Sequence, residues 1–261
     1  MHKDPKGGTV VPYEQFKQRL GSPLAEKPAQ DGGDVLKRSR PVFSALHADR
    51  LLYEAMNSDD AETRLGCVKE LTNRKDWSRL LTCMKWVQKD SSDAAFESLR
   101  KLLREGWDDL YMLYLEPTEL RWQIIKVLES EFDYLLSAKK RWGLNLLVGH
   151  SENPDIRMKA LDFYIHGKDV DDLAGFAVLC IFPDIKRRCV EVLAPEFKRF
   201  ARKKNFDMVK AFAYYSEDAE LRKKAMKALY KMDLKDILQR LARLSEHEED
   251  KKYAQELADK M

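Results

Sequence analysis

Four cysteines and five histidines are the side chains of this chain most able to hold a metal or attack an electrophile. Their spacing favours neither. Cys67, Cys83, Cys180 and Cys189 lie far apart with no CxxC, and His2, His47, His150, His166 and His247 form no HExxH. A metal site needs ligands converging at close spacing, so no metal is expected and no cofactor. G-x-x-x-x-G-K-[ST], G-x-G-x-x-G and G-x-S-x-G are all missing, which removes the usual nucleotide and hydrolase chemistries. His150 and His166 are expected at solvated helix ends. Widely spaced cysteines suit a reducing, intracellular, cytoplasmic setting.

Acids recur in pairs at Asp59–Asp60, Asp108–Asp109, Asp171–Asp172 and Glu248–Glu249. Each pair falls at an expected helix start, where a carboxylate satisfies free N–H groups and the helix dipole. Capping is the simpler assignment than acid–base catalysis. Trp77, Trp107 and Trp142 are expected to pack between helices. Trp122 instead falls on a solvent side beside Arg121, and both residue types are enriched at binding hot spots. No catalytic constellation emerges, and the chain is expected to be non-enzymatic.

The elements that position these residues are helical. The chain has 261 residues, 44% apolar and 35% charged, with only 11 glycines and 9 prolines. That punctuation is too sparse for an all-β protein. No stretch approaches about 18 uninterrupted apolar residues, so no membrane span is expected. Residues 1–43 collect prolines and glycine pairs and read as an extended, flexible arm. Within the arm, "VPYEQFKQRL" places Tyr13, Phe16 and Leu20 on one side of a short helix. It is either a flexible tail or a docking segment.

Residues 44–261 carry a repeat. With Arg64, Phe96, Arg121, Arg157, Lys186, Arg222 and Asp250 as position zero, position +3 is Cys67, Leu99, Ile124, Ala160, Cys189, Ala225 and Tyr253. Position +7 is Leu71, Leu103, Leu128, Tyr164, Leu193, Leu229 and Leu257. Both columns are apolar and lie on one helical face. The spacings between origins are 32, 25, 36, 29, 36 and 28 residues, room for a helix pair each. First helices are expected at "SALHADRLLYEAM", "DWSRLLTCMKWV", "WDDLYMLYL", "YLLSAKKRWGLNLLV", "VDDLAGFAVLCI", "NFDMVKAFAYY" and "LKDILQRLARL". Second helices are expected to open near Asp60, Ser92, Pro117, Pro154, Pro183 and Asp218. One helical insert of about residues 195–205, "PEFKRFARKKN", interrupts the pattern, and Pro195 should end or kink the helix before it.

The segments "NPDIRMKALDFY", "FPDIKRRCVEVL" and "DAELRKKAMKAL" resemble the second helix of short HEAT-like repeats. The resemblance covers roughly residues 45–261 and implies an all-α fold: an α-solenoid of about seven antiparallel helix pairs. "DAAFESLRKLL" and "EEDKKYAQELADKM" depart from it, with Phe96 and Asp250 where a basic residue belongs. The resemblance says nothing specific about function.

Charge arrangement carries the functional expectation. Lys+Arg number 47 against 44 Asp+Glu, a balance that names no partner. Positions +1, +2 and +5 of the second helices point away from the core, and 11 of those 21 residues are Lys or Arg against three acids. If second helices line a concave face, as the resemblance implies, that face is a basic groove. Its expected contacts are Trp122, Lys126, Lys159, Arg187, Arg188, Lys223, Lys224 and Lys227. Lys198, Arg199, Arg202, Lys203 and Lys204 of the insert join them. The expected role is a scaffold or adaptor holding an acidic protein partner. Nucleic-acid binding through phosphates is the alternative, its extreme form a HEAT-like DNA-repair glycosylase using Asp162 and Trp122.

Overall fold

A computed structural model describes residues 43–86, 88–106 and 118–261 of the chain, without the side chains of residues 86, 118 and 119. The arm with "VPYEQFKQRL", the segment "WDDLYMLYL" with Trp107 and Asp108–Asp109, and Pro117 lie outside the described residues. Pro41–Met261 form one compact unit, and its described residues are helices without strands.

The helices are α1 Ala48–Asn57, α2 Ala61–Asn73, α3 Trp77–Trp86, α4 Lys89–Arg104, α5 Thr118–Ser130, α6 Phe132–Ser137, α7 Arg141–His150 and α8 Pro154–Gly167. They continue as α9 Val170–Leu179, α10 Pro183–Leu193, α11 Phe197–Arg202, α12 Phe206–Tyr215, α13 Ala219–Lys231, α14 Lys235–Leu244 and α15 Glu248–Asp259. Neighbours pack as pairs: α1 on α2, α3 on α4, α7 on α8, α9 on α10, α12 on α13 and α14 on α15. Second helices also meet one another, α2 on α4 and α13 on α15. No described helix is long and apolar enough to cross a membrane.

The two apolar columns form the core. Every +3 and +7 residue is buried except Tyr253, which is half-buried in α15. Cys67 and Cys189 sit in the +3 column, and Cys83 and Cys180 are buried on or beside first helices. Burial pushes the thiols of Cys83 and Cys189 up to about 12 and that of Cys67 up to about 11, so none is a ready nucleophile near neutral pH.

Helix starts follow the caps. Asp60 accepts from the Glu62 and Thr63 amides, Asn153 from Asp155 and Ile156, and Asp218 from Glu220 and Leu221. Pro154 and Pro183 occupy first helical positions, where no N–H is missed. The start expected at Ser92 is wrong. Helix α4 begins at Lys89, and the Ser92 hydroxyl instead donates to the Met84 carbonyl at 3.0 Å.

Position zero does more than mark the repeat. Arg64, Arg157 and Arg222 are buried, and each Nη1 donates to a serine carbonyl six residues earlier: Ser58 at 2.8 Å, Ser151 at 2.8 Å and Ser216 at 2.9 Å. Those serines end the first helices of their pairs. A second nitrogen of each guanidinium reaches a carboxylate of the next pair, namely Asp90 at 2.6 Å, Asp184 at 3.2 Å and Asp250. One arginine therefore ties a turn to its own helix and to the following helix pair with charge-assisted bonds.

Two further short helices follow one plan, which corrects the sequence reading twice. The expected first helix over 134–148 is broken, because α6 ends at Ser137 and α7 starts at Arg141. The 195–205 insert is not singular either: "EFDYLLSAKK" at 131–140 and "EFKRFARKKN" at 196–205 fold alike. Leu135 and Phe200 are the buried residues of α6 and α11. Helix α10 ends at Leu193, as Pro195 dictates, and passes through a 3-10 turn at Ala194–Glu196 into α11. Glu131, just before α6, is buried between Arg100 and Arg104. Burial alone would raise its carboxyl, but hydrogen bonds from both arginines outweigh that and hold it below the usual carboxylate value.

The turns into α3, α7, α9, α12 and α14 share a left-handed residue: Lys75, Lys139, Lys168, Lys204 and Asp233, with φ of 53–61°. In each, the next amide bonds back five residues, as Asp76 does to Leu71 and Leu234 to Leu229. This closes the preceding helix with a Schellman turn. A Cβ in that region costs roughly 1–2 kcal/mol, which glycine avoids at some entropic expense. Lys75→Gly and Lys139→Gly are therefore each expected to stabilise the protein by roughly 0.5–1 kcal/mol, read as a higher urea midpoint. A fall in either midpoint contradicts this account of the turns.

Candidate binding groove

Among the described residues, six of the basic side chains singled out from the sequence line three separate grooves: Lys126 the first, Lys159 the second, and Arg202, Lys204, Lys224 and Lys227 the third. The first is lined by Met84, Ser92, Asp93, Phe96, Gln123, Lys126, Glu129 and Ser130. Lys126 shares that lining with Asp93 and Glu129, and Trp122 is not among the lining residues, although it is 49% exposed as expected.

The second groove lies between α6 and α8. Phe132, Leu136 and Phe163 form its apolar part, and Lys159 shares the rim with Lys139, Arg141, Asp133, Asp162, Asp169 and His166. Its charge is mixed. Arg141 pairs with Asp169 at 3.0 Å and with Asp172. Asp162 lines this groove, and Trp122 is not among its lining residues.

The third groove, of about 500 Å³, lies between α11 and α13. Arg202, Lys204, Lys224, Lys227 and Lys231 surround a floor of Phe197, Ala201, Ala228 and Met232, and no carboxylate lines it. None of the five cations makes an ion pair among the described residues. Arg202 donates only from Nε to the Lys198 carbonyl, at 3.3 Å. Helix α11 is held in place by its aromatics: Phe197 meets Phe212 of α12 edge-on at 5.3 Å, and Phe200 is buried 6.2 Å from the same ring. The basic residues of α11 are thereby presented outward.

The remaining expected contacts are less available than the sequence implied. Arg187 faces Glu246 at 3.4 Å, Arg188 faces Glu191 at 3.3 Å, Lys223 faces Glu249 at 3.7 Å and Arg199 faces Glu196 at 3.3 Å. Glu246 and Glu249 come from the last pair, so no local pattern announces them. Lys198 and Lys203 are exposed beside the third groove without lining it. Lys231 does line it and was missed. It sits at +9 of α13, one turn beyond Lys227 on the same face, outside the columns used to define the solvent side. His150 also departs from expectation: it is half-buried, and burial followed by the charge of Arg121 pushes its pKa down.

No protein-family model and no curated protein matches the chain. Among solved structures it is similar to an engineered protein from a structural genomics consortium, at 17% identity over 81% of this chain and 95% of that one. The TM-score is 0.22, a likeness too weak to bear on fold or function.

Proposed function

We propose that the chain is a non-catalytic adaptor of the HEAT-like repeat class, an α-solenoid of about seven helix pairs. It holds an acidic protein partner in the groove between α11 and α13. One observation carries this reading: five cations without ion-pair partners surround a single acid-free concavity. Like charges collected around a groove repel one another, and an anionic occupant relieves that while gaining a field that steers its approach. The four unpaired buried thiols suit a reducing, cytoplasmic setting. The N-terminal arm would serve as a tether or second contact.

A fluorescent glutamate-rich peptide is a suitable probe. Binding is expected in low salt and should weaken on the order of tenfold as ionic strength rises from about 50 to about 200 mM, because exposed pairs are screened over a Debye length of roughly 8–10 Å. A random DNA duplex run in parallel decides the nucleic-acid alternative. Tighter capture of the duplex, with the steep salt slope of phosphate contacts, would replace the protein partner by nucleic acid. Absence of binding to either probe in low salt would remove the groove as a binding site.

A further inference from the structure

The α6 and α11 grooves are two editions of one device. Each sets a short helix, opening on Phe132 or Phe197, against the +2, +5, +6 and +9 positions of the next second helix. Two cations keep their places, Lys139 with Lys204 and Lys159 with Lys224. The apolar members also recur: Phe132 with Phe197, Leu136 with Ala201, and Phe163 with Ala228. The rest of the rim changes. Asp162 and His166 give way to Lys227 and Lys231, while the place of Asp133 is taken by Lys198, which stands outside the lining of the second groove of the two. An apolar floor repeated beneath a rim whose charge has been altered has a use that the charge alone does not explain.

Resting on the acidic-partner reading, we infer that the α11–α13 groove recognises an acidic segment bearing one bulky apolar side chain. That side chain seats on Phe197, Ala201, Ala228 and Met232, and its flanking carboxylates meet Arg202, Lys204, Lys224, Lys227 and Lys231. All four floor residues are only half-buried, so the floor has apolar surface still to cover. Polar chains such as polyglutamate or a phosphate backbone would satisfy the rim and leave that surface wet. A leucine or phenylalanine between glutamates satisfies both, since removal of apolar surface from water drives the contact and the rim fixes its position.

The test uses the whole chain and three peptides of equal length: glutamate-rich with one central leucine, the same peptide with alanine for leucine, and the leucine peptide with glutamine for every glutamate. The leucine–glutamate peptide is expected to bind about tenfold more tightly than its alanine version, as burial of one such side chain implies. It should also outbind the glutamine peptide by a wider margin. Ala201→Trp, which fills the floor and leaves all five cations, should bring the leucine and alanine peptides to equal affinity. Equal affinity of the two acidic peptides for the unaltered chain would overturn the anchored segment and leave the acidic partner standing. Failure of both acidic peptides to bind would bring down the acidic-partner reading, and this inference with it.

Discussion

Arg222→Ala is expected to destabilise the protein by about 3–5 kcal/mol. The guanidinium is buried, as is its partner Asp250. It also donates to the carbonyls of Ser216 and Glu217, both at 2.9 Å. Truncation leaves the Asp250 carboxylate inside the protein without its counter-charge, and strips both carbonyls of a donor. The loss is concentrated where α13 meets α15, so the C-terminal pair should loosen first. Urea denaturation measures the total, and amide exchange in α15 locates it. Asp250→Ala should cost a similar amount from the other side. A change below about 1 kcal/mol for Arg222→Ala would show that the arginine ladder contributes no more than a surface ion pair.

That ladder marks the boundary between what the sequence discloses and what it does not. The apolar columns were readable because burial imposes the helical period on the residues themselves: Leu71, Leu103 and Leu229 stand where one face must be dry. The caps Asp60, Asn153 and Asp218 were readable because capping is local. Arg64, Arg157 and Arg222 were visible as a repeated letter, but not as buried residues. Their burial depends on Asp90, Asp184 and Asp250, which stand at different offsets in the following repeats. The local half of the motif was nonetheless there, in "SDDAETR", "SENPDIR" and "SEDAELR".

The short helix α6 was missed for another reason. Leu135 and Leu136 continue the apolar pattern of "YLLSAKKRWGLNLLV", and lysine at 139 does not suggest a left-handed turn as glycine would. The spacing held the clue: the two 36-residue intervals are those containing α6 and α11. Around the groove, the one-dimensional count could not separate cations that face a carboxylate from those that do not. Arg187 and Lys223 look as free as Lys224 and Lys227 until Glu246 and Glu249 are brought up beside them. Lysines project from each turn of α13, and only three dimensions show that α11 supplies the opposite wall.

Reversal of that wall is the second large expected effect. Replacing Arg202, Lys224, Lys227 and Lys231 by glutamate removes four attractive contacts, each worth roughly 0.2–1 kcal/mol at an exposed rim, and substitutes repulsions of similar size. Together these should weaken capture of an acidic peptide on the order of 100-fold or more. The four side chains are outside the core, so the helical spectrum and the urea midpoint should stay near those of the unaltered chain. Glutamate at Arg188 and Lys223, which already face Glu191 and Glu249, is the comparison. Binding of a glutamate-rich peptide to these two variants, measured side by side in low salt, tests the central claim most directly. The expected result is loss of capture in the fourfold variant and near-normal capture in the other. Undiminished capture after the fourfold reversal, or equal loss in both, would contradict the assignment of the α11–α13 groove.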